Sequence, residues 1–448
     1  MESWSFLPFV VFLSLRGTLE VAEHAAKRAT QVFAGGGEES NVFLHDFLVA
    51  GSSERCYFFL VLKFNVSQVP TFELAIRRAV SDSTNTAPVL GAVRLTSAEG
   101  EVVVASTCLS VTRTETVEAV VEEPVDVVLD QKKLSKIVKR AAKTKRPVEI
   151  EALPNAWARV RVGKSEFKMF GHAPADFPET AVSPALAEFD LPTETLLDDL
   201  GVARVHACSD EYRVNLHGFA LALEGPRLAI VATDGHRIAR SYVSEDCGTE
   251  SFGGKKCVVV TYDAIKPLNT LLKDASKVKT KTDTGKVLEH PTVRVTVRDG
   301  RVDFAVAGVT ISAITPNVIF PPYLQVIPDA VACAVKPDAA PLRRALEDAT
   351  LAAPEKTATT RLDVGRDGEI VVSADNPDFG DFRATVASEV VSDDRWKVET
   401  LGANATYLID ALDALGGPTL KVTGGPHDPL RLTSADGRRD VVVMPMRV

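Results

Sequence analysis

Groups able to attack, ligate or relay a proton are sparse in this chain. Eight histidines and six cysteines (Cys56, Cys108, Cys208, Cys247, Cys257, Cys333) are spread over 448 residues. No two cysteines stand at CxxC spacing, which argues against both a zinc site and a disulfide framework and suits a reducing cytoplasm. The densest polar cluster is the VATDGHRIA segment, with Thr233, Asp234, Gly235, His236, Arg237 and Ile238. Its Asp and His could be mistaken for a catalytic or metal pair, yet no nucleophile or third ligand accompanies them. A histidine in such a strand-turn reads as structural. The other conspicuous segment is the end of the chain, Val442, Val443, Met444, Pro445, Met446, Arg447 and Val448. Two thioethers and a proline make a soft apolar surface able to accept several partner peptides. The expected chemistry is recognition: no catalytic residue, metal or cofactor is called for.

The elements that must position these segments are numerous. With 45% apolar and 25% charged residues, the chain can build roughly three domains, each with its own core. A formal charge of -9 argues against a protein that grips DNA over its whole surface, while leaving room for a local basic face. Residues 1–62 stand apart as an N-terminal extension. Its apolar run at 6–15 is half the length of a bilayer span and lacks a preceding basic cluster, which argues against a signal peptide. Residues 18–33 have helical spacing and end at Gly35-Gly36-Gly37; an extension without fixed structure is the competing reading.

From Lys63 the chain repeats itself. KFNVSQVPTFELAIRRAV, EFDLPTETLLDDLGVA (from Glu188) and ACAVKPDAAPLRRALEDA (from Ala332) each alternate like a strand and then switch to helical period. Roughly seventy residues on, each is followed by a second such unit: VVLDQKKLSKIVKRA, VVVTYDAIKPLNTLL and ATYLIDALDAL. Strand-rich stretches fill the gaps, one with an Asp299-Gly300 turn. An α+β architecture follows, with three copies of one domain (63–183, 184–328, 329–448), each of two helices on antiparallel sheet.

Charge is placed unevenly on these helices. At ~100° per residue, Lys132, Lys133, Lys136, Lys139, Arg140 and Lys143 share one face opposite Leu134, Ile137, Val138 and Ala141. Lys266, Lys273 and Lys277 repeat the stripe in the second copy, opposite Ile265, Leu268, Leu271 and Leu272. Asp410 and Asp413 break it in the third, where Arg343 and Arg344 are the available cations; Arg77 and Arg78 occupy the matching first helix of copy one. A solvated helix face is the plain alternative, but two equivalent stripes in an acidic protein point to a polyanion.

VATDGHRIA, FPPYLQVIP (from Phe320) and VVVMPMRV together resemble, in order and spacing, the signature segments of the bacterial DNA polymerase III beta subunit, the sliding clamp family. The resemblance runs from about Lys63 to the end. It implies a head-to-tail homodimeric ring of six similar domains around duplex DNA, a processivity factor for the replicative polymerase without catalysis of its own. Partners would be double-stranded DNA, the polymerase catalytic subunit, the clamp loader and other proteins with a clamp-binding motif, in the cytoplasm and with no membrane role. The implied partner-peptide cleft lies between the second and third domains: Leu216, Thr233, Gly235, His236, Arg237, Ile238, Pro321, Gln325, Val326 and residues 442–447. Gly235 would let a ligand approach the backbone, and Arg237 or Arg447 would meet its polar or acidic groups. Two or three apolar anchors at about 1.5 to 3 kcal/mol each, less association costs, would give modest, exchangeable binding. The cations named above would face the DNA. Phe167 aligns with a dimer-contact aromatic, and Phe379 follows Asn376-Pro377 in the facing loop; Phe382, beside it, reads as core.

Several positions depart from the family pattern. Thr84 stands where an arginine is common, Tyr262-Asp263 replace an arginine-lysine pair, and Ser209, Asp210, Val214 and Asn215 replace polar and tyrosine residues ahead of Leu216. Pro322 replaces an aspartate at the cleft rim. The losses fall mainly on the DNA side, so a divergent clamp-like paralogue that docks partners but is poorly loaded on DNA is the alternative reading.

Overall fold

The computed structural model describes residues 60–65, 67–81, 87–180, 183–277, 291–328, 332–354, 357–376, 380–392, 400–422 and 427–447. The readings made for 6–15, 18–33, Gly35 to Gly37, Thr84, Pro377, Phe379 and Val448 lie outside the described residues. The first described strand, Leu60–Phe64, begins three residues before Lys63 and pairs with Val148–Ala152, so the first sheet starts earlier than expected.

Among the described residues the α-helices come in three pairs: α1 (Val69–Arg77) with α2 (Gln131–Thr144), α3 (Thr193–His206) with α4 (Ile265–Ala275), and α5 (Ala339–Ala352) with α6 (Ala405–Leu415). Their sequences explain their ends. Asp130 caps α2 by accepting the N–H of Lys133 at 2.7 Å, and Asn404 caps α6 by accepting that of Tyr407 at 3.1 Å. Gly416 closes α6 at φ 64°, a conformation that costs glycine little.

Each pair covers its own core. The first contains Phe64 stacked on Phe72 at 3.9 Å together with Leu134 and Val138; the second, Phe219, Phe304, Leu196 and Leu268; the third, Leu346, Leu408, Leu412 and Val443. Burying each such side chain stabilises by about 1.5 to 3 kcal/mol. A fourth, smaller cluster joins Ile238, Tyr242, Phe320, Tyr323, Ile327 and Val442.

Three antiparallel sheets back the helices, of five, eight and twelve strands. The five-stranded sheet ends at the edge strand Ser165–Phe170. The eight-stranded sheet is continuous because Val309–Ile314 pairs with Val111–Glu118, Ile311 opposite Arg113. The twelve-stranded sheet is joined likewise by Arg439–Val443 on Arg237–Ser244, Val441 opposite Ala239. Charged ties reinforce both joints. Asp199 of α3, fully buried, accepts from Arg438 at 2.6 Å and Arg439 at 2.7 Å. Arg78 pairs with Asp274, and Ser110 Oγ donates to Asp263 at 2.7 Å.

Candidate partner cleft and helix face

The turn in VATDGHRIA holds itself in shape. Asp234 Oδ1 accepts the N–H groups of His236 at 2.9 Å and Arg237 at 3.1 Å. Thr233 Oγ1 accepts from Gly235 N at 3.0 Å and donates to Arg237 O at 2.7 Å. Gly235 sits at φ 92°, and a Cβ there would come within 2.7 Å of the Arg213 guanidinium, itself bonded to Asp234 O at 2.7 Å. Glycine is needed here for conformation and for space alike. In this structure the approach to its backbone is taken by Arg213 rather than left open as the sequence suggested.

Arg237 also differs from expectation. Its side chain is buried and fully engaged: Nε to Asp234 at 3.0 Å, one terminal nitrogen to Asp410 at 2.5 Å, the other to Val205 O at 2.7 Å, with the guanidinium 4.4 Å from the Tyr407 ring centroid. It ties the turn to the end of α3 and to α6, so Arg447, exposed, is the cation left to meet a ligand. The pairing gives Asp410 a structural use, which explains an acidic residue on the helix whose counterparts in the first two copies carry lysines.

The predicted cleft residues fall into two groups. Leu216, Thr233, Arg237, Ile238, Val442 and Val443 are buried and form the framework. Gly235, His236, Gln325 and Arg447 are exposed, and Pro321, Val326, Met444, Pro445 and Met446 half-buried, so these nine supply the accessible surface. The terminal segment is seated by Met446 N donating to Gly402 O at 2.8 Å, and Thr359 Oγ1 lies 3.9 Å from Met446 Sδ. Val326 packs on the small cluster that holds Ile238 and Val442, bringing the linker to the same site. Sequence reasoning missed Tyr407, whose ring stacks with His236 at 6.5 Å. A tyrosine in a helix first turn carries no local signal; only the pairing of two distant strands brings it there.

On the helices, all six α2 cations (Lys132, Lys133, Lys136, Lys139, Arg140, Lys143) are exposed, with Leu134, Val138 and Ala141 buried beneath. Lys266, Lys273 and Lys277 are exposed on α4, and a groove of about 450 Å³ beside them is lined by Arg204, Tyr262, Asn269 and Thr270. Arg204, on α3, is a cation the sequence reading left out. Arg77 is exposed and pairs with Glu73 at 3.2 Å. Arg78 and Arg343 are not free cations: the first is held by Asp274, the second by Asp413 at 2.8 Å and by Glu347. Arg344 remains exposed. Phe167 is half-buried against the first core, and Phe382 packs on the third. The same edge strand also exposes Phe170, 61% accessible and edge-on to Trp157 at 5.3 Å.

The family described as DNA polymerase III beta subunit, N-terminal domain, matches residues 73–181. The beta sliding clamp of Salmonella typhimurium is 26% identical over 292 residues, covering 64% of this chain and 73% of that protein. The crystal structure of DNA polymerase III subunit beta from Pseudomonas aeruginosa superposes with a TM-score of 0.75 at 22% identity, over 87% of this chain and 100% of that one. A sliding clamp from the same organism, bound to griselimycin, gives 0.73 at 22% identity with the same coverage. The class defined by paired helices on joined antiparallel sheets is that of the DNA clamps. By its match over residues 73–181, its likeness to curated beta sliding clamps and its fold, the chain is similar to the bacterial DNA polymerase III beta subunit, or sliding clamp, family.

Proposed function

We propose that this protein is a non-catalytic sliding clamp, which confers processivity on a replicative DNA polymerase by encircling duplex DNA and docking partner peptides in the cleft. The observation that carries the docking role is the meeting of three distant segments: Met444 N bonds to His236 O at 2.9 Å, and the linker packs through Val326 and Tyr323 on the cluster that holds Ile238 and Val442. The polymerase, clamp loader and other motif-bearing proteins are the partners this site would share, in the cytoplasm. The exposed cations of α2 and α4, with Arg77, Arg204 and Arg344, are the DNA-facing set. They hold phosphate without reading bases, as sliding requires.

The ring is argued from strand edges. With domains at 63–183, 184–328 and 329–448, each internal joint pairs the last strand of one domain with the strand before the second helix unit of its predecessor. The strands left in those two positions are Ser165–Phe170 and the 380–387 part of Gly380–Ser392. Keeping the register of the existing joints, where Ile311 faces Arg113 and Val441 faces Ala239, sets Phe167 opposite Phe382 of a second copy. That register also sets Glu166 opposite Arg383 and Lys168 opposite Asp381, opposite charges at both flanking positions. A second copy of this chain is the partner these edges fit.

The deciding experiment is retention on nicked circular DNA after loading by a clamp loader, with linearisation as control. A clamp stays on the circle and slides off the linear form; equal loss from both would leave the poorly loaded paralogue.

A further inference from the structure

The linker wall of the cleft has no strand pairing of its own, so something else must fix its height. Its buried anchors are Phe320, Tyr323 and Ile327, and of these only Tyr323 has a polar end. The Tyr323 hydroxyl donates to Glu224 Oε1 at 2.7 Å. Glu224 Oε2 accepts from Tyr242 at 2.6 Å and Arg240 at 3.1 Å. Arg240 also donates to Asp440 at 2.5 Å, and Asp440 accepts from Arg431 at 2.8 Å and Thr433 at 2.8 Å. Arg431 returns to the linker at Pro328 O, 3.1 Å away. The polar chain is therefore a closed circuit, pinning the linker at Tyr323 and Pro328. It runs through the strand Arg439–Val443, which leads directly into Met444.

We propose that Glu224 is a positioning residue for the cleft, setting the linker wall (Pro321, Gln325, Val326) against the terminal wall (Met444 to Met446) through Tyr323. It reaches the linker wall only through Tyr323 and belongs to no motif. Its two oxygens divide the work: Oε1 holds the linker, while Oε2 holds groups of the sheet itself. Inside a poorly hydrated cluster such hydrogen bonds are stiff and mutually reinforcing. The Tyr323 end of the linker is held by one charge-assisted bond and should move when that bond is lost, and bonds of this kind carry roughly tenfold or more in an equilibrium.

The inference rests on the docking reading and is tested with griselimycin titrated into the full chain. Tyr323→Phe should bind about tenfold more weakly than the native chain, chiefly by faster release, and Glu224→Gln should do the same. The double variant should be no weaker than either single one, because both act through one bond. Tyr242→Phe is the control: it removes a bond from the same carboxylate and should lower the melting temperature comparably, with affinity kept. Native affinity in Tyr323→Phe, or equal loss in Tyr242→Phe, overturns the positioning role alone. A native chain that does not bind griselimycin overturns the docking reading with it.

Discussion

The backbone N–H of Met444 donates to the carbonyl oxygen of His236 across a 2.9 Å bond, joining residues 208 positions apart. This bond extends the pairing of Arg237–Ser244 with Arg439–Val443, making the chain end a wall fixed to the turn of VATDGHRIA. Removing residues 444–448 should abolish griselimycin binding, measured by calorimetry, while light scattering still reports a dimer. Loss of both would show that the tail is needed for folding.

Lys132, Lys136 and Arg140 lie on the exposed face of α2. Each phosphate contact contributes about 0.9 to the slope of log affinity against log salt. The triple alanine variant should therefore lower that slope by about 2 to 3 and shorten residence on circular DNA. Residence equal to that of the native chain would remove the stripe from the DNA-facing set.

Arg237 closes a largely buried contact among Asp234, Asp410, Val205 and Tyr407. Arg237→Ala should destabilise by about 3 kcal/mol, the lower end for breaking a buried ion pair, since Asp410 keeps partial access to water. Chemical denaturation at neutral pH measures this. A loss under 1 kcal/mol would mean the arginine is not a structural tie.

His206 is fully buried at the end of α3 with Nδ1 2.8 Å from Val202 O. Burial first, and the nearby Arg237 second among the lowering influences, push its pKa down to about 4 from an ordinary 6.5. The unfolded chain thus takes up the proton first as pH falls, so this contribution is complete above pH 6.5 and lost on the way to pH 4. The difference amounts to about 3 kcal/mol. His206→Gln, which keeps a donor for Val202, should flatten the stability profile by about that much between pH 7 and pH 4. A variant profile parallel to the native one would assign the acid sensitivity elsewhere.

Phe167→Asp should halve the mass seen by light scattering. Lys168→Asp should weaken the dimer and Asp381→Lys, added to it, should restore it, because the two face each other in the proposed register. Failure of the reversed pair to recover the dimer would reject that register while leaving dimerisation itself to the Phe167 result.

What could be read from the sequence was whatever repeats at short range. The switch from alternation to helical period located the six α-helices of the described residues, and the same period separated the α2 lysines from Leu134 and Val138. The partner of a charge could not be read in this way. Arg78 and Asp274, Arg343 and Asp413, and Arg237 and Asp410 meet only because domains and helices pack, so cations counted as free proved engaged. Arg213 over Gly235 and the exposure of Phe170 on the same edge strand as Phe167 escaped for the same reason. In each case type and spacing were legible, while orientation depended on a distant strand.

The two joints inside the chain share a mechanical property. At each, two routes hold the neighbouring domains together, the covalent linker and an antiparallel strand pair, so parting the strands alone does not separate them. The proposed ring of two copies would have the same strand pairing where the chains meet but no linker beside it. Pulled apart, that ring would open there, along Ser165–Phe170, before either internal joint.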